Sequence, residues 1–145
     1  MAVAPRKRPY RTRLTGRLAL SSLLWWHSLP YHAAMPSVPN FKKAILDIRK
    51  IEDYCLNPIH PRGRHKARVF REALGVDQAD AEWLRAILLQ ESAKGRPVGL
   101  ESDEFGGRWR IDVAVSRHGR DVVVRTVWIV RPGEDAPRFL TCWVL

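Results

Sequence analysis

The sequence predicts an α+β domain, two or three N-terminal helices packed on a four-stranded antiparallel sheet. Two observations carry that expectation. Apolar residues recur at helical spacing as far as about Gly95 and at a spacing of two beyond it. The segments of the second kind are joined by short turns that contain glycine, as hairpins require, and not by stretches long enough for crossover helices. With 145 residues, 46% of them hydrophobic, the chain suits one domain with one core.

The elements follow in order. Ile45, Ile48, Ile51, Cys55 and Leu56 share one helical side, with Lys50, Glu52 and Asp53 opposite, so a first helix is expected between Ile45 and Leu56 with Asn40 as a cap ahead of it. Asn57-Pro58 ends it, because the residue before proline is pushed out of the α region. A breaker-rich loop, Ile59-His60-Pro61-Arg62-Gly63, follows. Val69, Phe70, Ala73 and Leu74 form the stripe of a second helix, stopped at Gly75. Asp77 starts a third, with Asp80 in the capping-box position and Trp83, Leu84, Ile87 and Leu88 behind it.

Past Gly95, Trp109, Ile111, Val113 and Val115 alternate with Arg110, Asp112 and Ala114, a strand with one wet face. Arg117-His118-Gly119-Arg120 makes the hairpin turn, and Val122 to Val130, apolar on both faces apart from Arg125 and Thr126, is the central strand. Phe139 to Leu145 closes the sheet, and Val98 to Glu101 adds a short edge strand before the Phe105-Gly106-Gly107 turn.

Residues 1–34 read as separate from the domain of residues 35–145. They hold Arg6, Lys7, Arg8, Arg11, Arg13 and Arg17 and no acidic residue, then an apolar run from Leu18 to Trp26. That run is too short to span a bilayer. The segment is expected to be an unstructured extension upstream of a start at Met35, a signal peptide, or a basic arm. It carries most of the net charge of +10, so bulk charge is a weak pointer from the domain to nucleic acid.

Cys55 and Cys142 lack the spacing of a zinc site; a single disulfide is the alternative to the two buried thiols expected in a cytoplasmic chain. No cofactor motif is present: there is no Walker loop, GxSxG, HExxH or CxxC.

The densest polar cluster, His60-Pro61-Arg62-Gly63-Arg64-His65-Lys66 with Arg68 and Arg71, opens the second helix, where N–H groups and the helix dipole favour phosphate. Lys66 lies nearer the core-side stripe than Arg64 or Arg68, which suggests that it faces a cleft over the sheet. Arg125, Thr126, Arg138 and Thr141 interrupt the apolar strands. Alternation allows only some of them to share a face, and Asp112 is the natural partner for Arg125. Trp109, Trp128 and Trp143 read as packing residues before base-stacking ones. Glu101, Asp103 and Glu104 sit in a turn-like stretch without geometry for acid–base work, and His118 sits in a surface turn.

The run Lys50-Ile51-Glu52-Asp53-Tyr54-Cys55-Leu56-Asn57-Pro58, then His60-Pro61-x-Gly63-Arg64-x-Lys66-Ala67-x-x-Phe70 and Leu74-Gly75, resembles a bacterial family known as domain of unknown function 6883. Val124-Arg125-Thr126-Val127-Trp128-Ile129 and Pro137-Arg138-Phe139-x-Thr141 continue the resemblance to the C-terminus. Such members begin near the position of Met35, and no activity comes with the family. At the level of fold, helices bearing His and Lys before a four-stranded sheet bearing Arg and Thr are similar to the barnase–EndoU–colicin–RelE superfamily of ribonuclease toxins.

That analogy implies metal-free RNA cleavage: His65, or alternatively His60, as acid or base; Lys66, Arg125 and Thr141 at the reacting phosphate; Arg64, Arg68 and Arg138 as phosphate-binding groups. The competing expectations are a non-catalytic module that binds a small protein partner such as an antitoxin, and RNA binding without cleavage. No membrane association is expected.

Overall fold

The computed structural model describes residues 37–145. The extension over residues 1–34 and the boundary at Met35 lie outside the described residues.

A 3₁₀ turn, Phe41–Lys43, leads to α1 (Ile48–Lys50), which runs directly into a π turn, Ile51–Cys55. This is shorter than the helix expected from Ile45. Asp47 is the cap, its carboxylate accepting from the Arg49 N–H at 3.0 Å. Asn40 takes a left-handed φ of 54° and donates to the Asp135 carbonyl instead. Ile45 stays extended: its N–H donates to the Pro137 carbonyl and its carbonyl accepts from the Phe139 N–H, both at 2.9 Å, so it lies along the last strand. In the π turn the Leu56 N–H reaches the Ile51 carbonyl at 2.9 Å, and the wider coil keeps Ile51, Cys55 and Leu56 all in the core.

Helix α2 (Arg64–Leu74) buries Ala67, Phe70 and Leu74. Val69, expected in that stripe, is exposed, and Ala67 takes its place. Gly75, at φ 65°, ends the helix as expected, with its own N–H on the Arg71 carbonyl and that of Val76 on Phe70. The Asp77–Asp80 capping box opens a 3₁₀ turn (Gln78–Asp80) that continues as α3 (Ala81–Lys94), burying Leu84 and Leu88.

Strands β1 (Pro97–Asp103), β2 (Gly106–Arg117), β3 (Arg120–Val130) and β4 (Arg138–Val144) pair antiparallel in the order β1-β2-β3-β4. The helices cover one face, where Trp109, Ile111, Val113 and Val115 meet Val124, Thr126 and Trp128. Thr126 is fully buried and satisfied, donating to the Ile111 carbonyl at 2.9 Å and accepting from the Trp128 indole at 2.9 Å.

A bulge changes the phase of β4. Trp128 stands opposite Phe139 and Val127 opposite Thr141, so Leu140 is the extra residue. Phe139 and Cys142 would face opposite ways in a regular strand, yet both are fully buried against the helices. Residues directly opposite each other share a face. Arg138 (opposite Ile129), Thr141 (opposite Val127) and Trp143 (opposite Arg125) therefore belong to the face away from the helices, together with Arg125 and Asp112.

Candidate anion-binding site at the edge of the sheet

Phe70 and Leu74 fix the rotation of α2, and Lys66, four residues before Phe70, lies on the same side of the helix. It is half-buried. Its ammonium donates to the Thr141 hydroxyl at 2.7 Å and to the Tyr54 hydroxyl at 3.2 Å. It stands 4.9 Å from the centre of the Tyr54 ring and 5.6 Å from that of Trp143. Lys66 comes from the helical layer and Thr141 from the far face, so they meet at the outer edge of β4.

The arrangement has a chemical consequence. Each hydroxyl uses a lone pair to accept from Lys66 and keeps its own hydrogen to donate, to an anion or, for Thr141, to the Cys55 sulfur beside it. A cation and two aligned O–H donors at one point make a site for a tetrahedral anion.

Tyr54 is held in the π turn, with the His60 ring edge-on at 4.9 Å. His60 Nδ1 accepts from the N–H groups of Arg62 (3.1 Å) and Gly63 (3.0 Å), so a neutral imidazole carries its hydrogen on Nε2. His60 thus shapes the loop that starts α2, and its Nδ1 is not available as a base. Gly63 completes the loop: a Cβ there would lie 1.9 Å from the Tyr54 carbonyl oxygen. On the same edge the Lys50 ammonium donates to the Phe139 carbonyl at 2.6 Å, and burial, then the charge of Arg131, holds its pKa below the ordinary lysine value.

Cys55 and Cys142 are buried free thiols and form no disulfide with each other. The hydrogen bond from Cys142 draws the Cys55 thiol down to about 7 against its own burial, with the Lys66 charge assisting. Burial first, then the Cys55 contact, pushes Cys142 well up.

The other expected site residues divide. Arg125 shares the face of Thr141 but makes a two-pronged ion pair with Asp112 at 2.7 and 2.8 Å, and Arg138 pairs with Glu134 at 2.8 Å. Arg64, His65 and Arg68 do not join Lys66. Arg64 and Arg68 are each two residues from Lys66 and point about 200° away from it, His65 about 100°, and all three line a cleft of about 740 Å³ on the other flank of α2. Arg71 extends that wall, Leu56, Pro58 and Ala67 form the floor, and Asp77 to Ala79 form the opposite lip. One cationic run in the sequence is thus two sites in space.

Glu101 pairs with Arg110 and Asp103 with Arg108, and His118 is an exposed hairpin residue at φ 52°. Tyr54 is the site residue that sequence reasoning missed. Its signal was its position next to the Asn57-Pro58 break, where a helix end can aim a side chain across the loop. Among the described residues no three His, Cys, Asp or Glu side chains are grouped as a metal site needs, and no helix is long and apolar enough to cross a membrane.

The fold and site define a small α+β domain with a helical layer on one face of a four-stranded meander and a lysine–hydroxyl cluster at the sheet edge. The chain belongs to the family described as domain of unknown function (DUF6883), which matches residues 37–145. A search of curated proteins finds no match. Among solved structures the fold is similar to a chain of a contact-dependent growth inhibition toxin–immunity protein complex from Klebsiella pneumoniae 342, at 14% identity and a TM-score of 0.54. The match covers 70% of this chain and 99% of that one.

Proposed function

We propose that the domain is a toxin-like ribonuclease that works without a metal, with Lys66 at its centre. The observation that carries this reading is the Lys66 ammonium bound at once to Thr141 and Tyr54, two hydroxyls that each keep a hydrogen of their own. In-line attack of a ribose 2′-hydroxyl on the adjacent phosphorus gives a phosphorane and expels the 5′-oxygen, leaving a 2′,3′-cyclic phosphate. Lys66 and Thr141 donate to the non-bridging oxygens where charge gathers. Tyr54 gives its proton to the departing oxygen and regains one from water, while the 2′-hydroxyl proton passes to solvent. Trp143 offers a ring face to a neighbouring base. Arg125 and Arg138 border the site with their carboxylates, and His65 takes its contact outside it.

The toxin part of the reading leans on the Klebsiella complex, described as a toxin with its immunity protein. The same likeness favours a second reading, in which the chain binds a small protein partner and does no chemistry. RNA as substrate would put the action in the cytoplasm.

The test is the purified full chain with total RNA and EDTA. Cleavage to fragments ending in cyclic phosphate is expected, reduced about 10²–10³-fold by Lys66→Ala, the loss usual for one donor to a developing oxyanion. RNA bound but uncut would leave binding alone. Neither cutting nor binding would favour the protein-partner reading.

A further inference from the structure

The cleft on the far flank of α2 is not used by the proposed reaction. Arg64, Arg68 and Arg71 lie along one stripe of it, with rises of about 6 Å and about 4.5 Å between neighbours. All three are exposed, and none forms an ion pair with another described residue. The one carboxylate on the opposite lip, Asp77, is committed to the cap, accepting from the Ala79 N–H at 2.9 Å. Between the arginines and that lip lies an apolar floor whose exposed part is Pro58, with Leu56 buried behind it.

We infer that this cleft is a second RNA subsite, holding a stretch of single-stranded RNA a few nucleotides along from the one at Lys66, a base on the apolar floor and successive phosphates along the arginines. The inference rests on the proposed reading of the Lys66 cluster as a phosphodiester site. Charge and shape favour this occupant: three guanidinium groups without ion-pair partners outnumber the single carboxylate, Asp77, in a concavity whose floor suits a flat, weakly polar ring. Continuity favours it too. The π turn presents Tyr54 to one site and is followed at once by Leu56 in the other, and only α2, about 10 Å across, separates them. A strand passing over α2 would engage both.

Binding of 2′-O-methyl oligonucleotides, which cannot be cut, tests this by fluorescence anisotropy on the full chain. An octanucleotide is expected to bind at least tenfold more tightly than a dinucleotide. Ala79→Trp, which fills the cleft, and Arg68→Gln, at an exposed position, should each remove most of that preference. Three phosphates at the arginines predict a salt slope for the octamer steeper by about 2, and Arg68→Gln should take back about 0.7 of it.

An octamer affinity that neither variant changes would overturn the inference and point to an acidic protein segment as the occupant. Octamer binding that Lys66→Ala leaves intact and Arg68→Gln abolishes would overturn the Lys66 site alone. No binding of either oligonucleotide would overturn both.

Discussion

Lys66 and Thr141, 75 residues apart in sequence, are joined by a 2.7 Å hydrogen bond that ties α2 to the edge of β4. The groups are partly buried and one is charged. A double-mutant cycle with Lys66→Met and Thr141→Val should therefore give a coupling of about 1 kcal/mol, reduced from the value for a fully buried charged bond by solvent. Urea unfolding of the four proteins measures it. Each single variant should stay folded, so that loss of RNA cleavage in Lys66→Met would report on the site and not on the fold.

The bulge in β4 gives a sharper structural prediction. Deleting Leu140 would leave a regular strand in which Phe139 stays opposite Trp128 and Thr141 opposite Val127, so that Phe139 and Cys142 still face the helices and Arg138 and Thr141 the far face. The deletion variant should keep a cooperative thermal transition, as should Leu140→Ala, which keeps the extra residue; loss of the transition in the deletion alone would contradict this assignment of the bulge.

This bulge also marks where the sequence was legible and where it was not. Periodicity placed β2, the hairpin at Gly119 and the central position of β3, because those strands have one wet face or none and their turns are glycine-marked. The capping box at Asp77 and the stop at Gly75 were legible for the same local reason. Which polar strand residues share a face was not legible, since Leu140 has nothing in its own chemistry to show that it is skipped. The separation of Lys66 from Arg64 and Arg68 was legible from helical spacing against Phe70, but that His65 lines the other cleft with those arginines was not. The absence of a helix at Ile45 follows from a contact with Pro137 and Phe139, far away in sequence.

Gly63 should tolerate no side chain. A methyl group there meets the Tyr54 carbonyl, so Gly63→Ala must shift the π turn or the start of α2. We expect a loss of about 2 kcal/mol in stability, together with a larger loss of activity than Val69→Ala, which changes an exposed residue of the same helix. Chemical denaturation and the RNA assay, run side by side, check both.

Acid should weaken the fold in a defined window. Arg49 holds the Asp47 carboxyl down at about 2, from an ordinary 3.8. Asp80, through the Asp77 N–H and then Arg117, and Glu134, through Arg138, are also lowered. A carboxyl with a depressed folded pKa stabilises the fold above its unfolded value, and that stability is lost as pH falls through the folded one. Thermal midpoints should hold steady down to about pH 4 and then drop towards pH 2, less steeply in Asp47→Asn.

The central claim is that Lys66, Thr141 and Tyr54 grip a phosphodiester. Nitrogen-15 NMR of the Lys66 ammonium during titration with a non-cleavable dinucleotide tests it at the atom concerned. We predict a saturable shift of that resonance, with the hydroxyls of Thr141 and Tyr54 following the same curve and the response lost in Thr141→Val/Tyr54→Phe. A Lys66 signal that stays fixed while the dinucleotide binds elsewhere would contradict it.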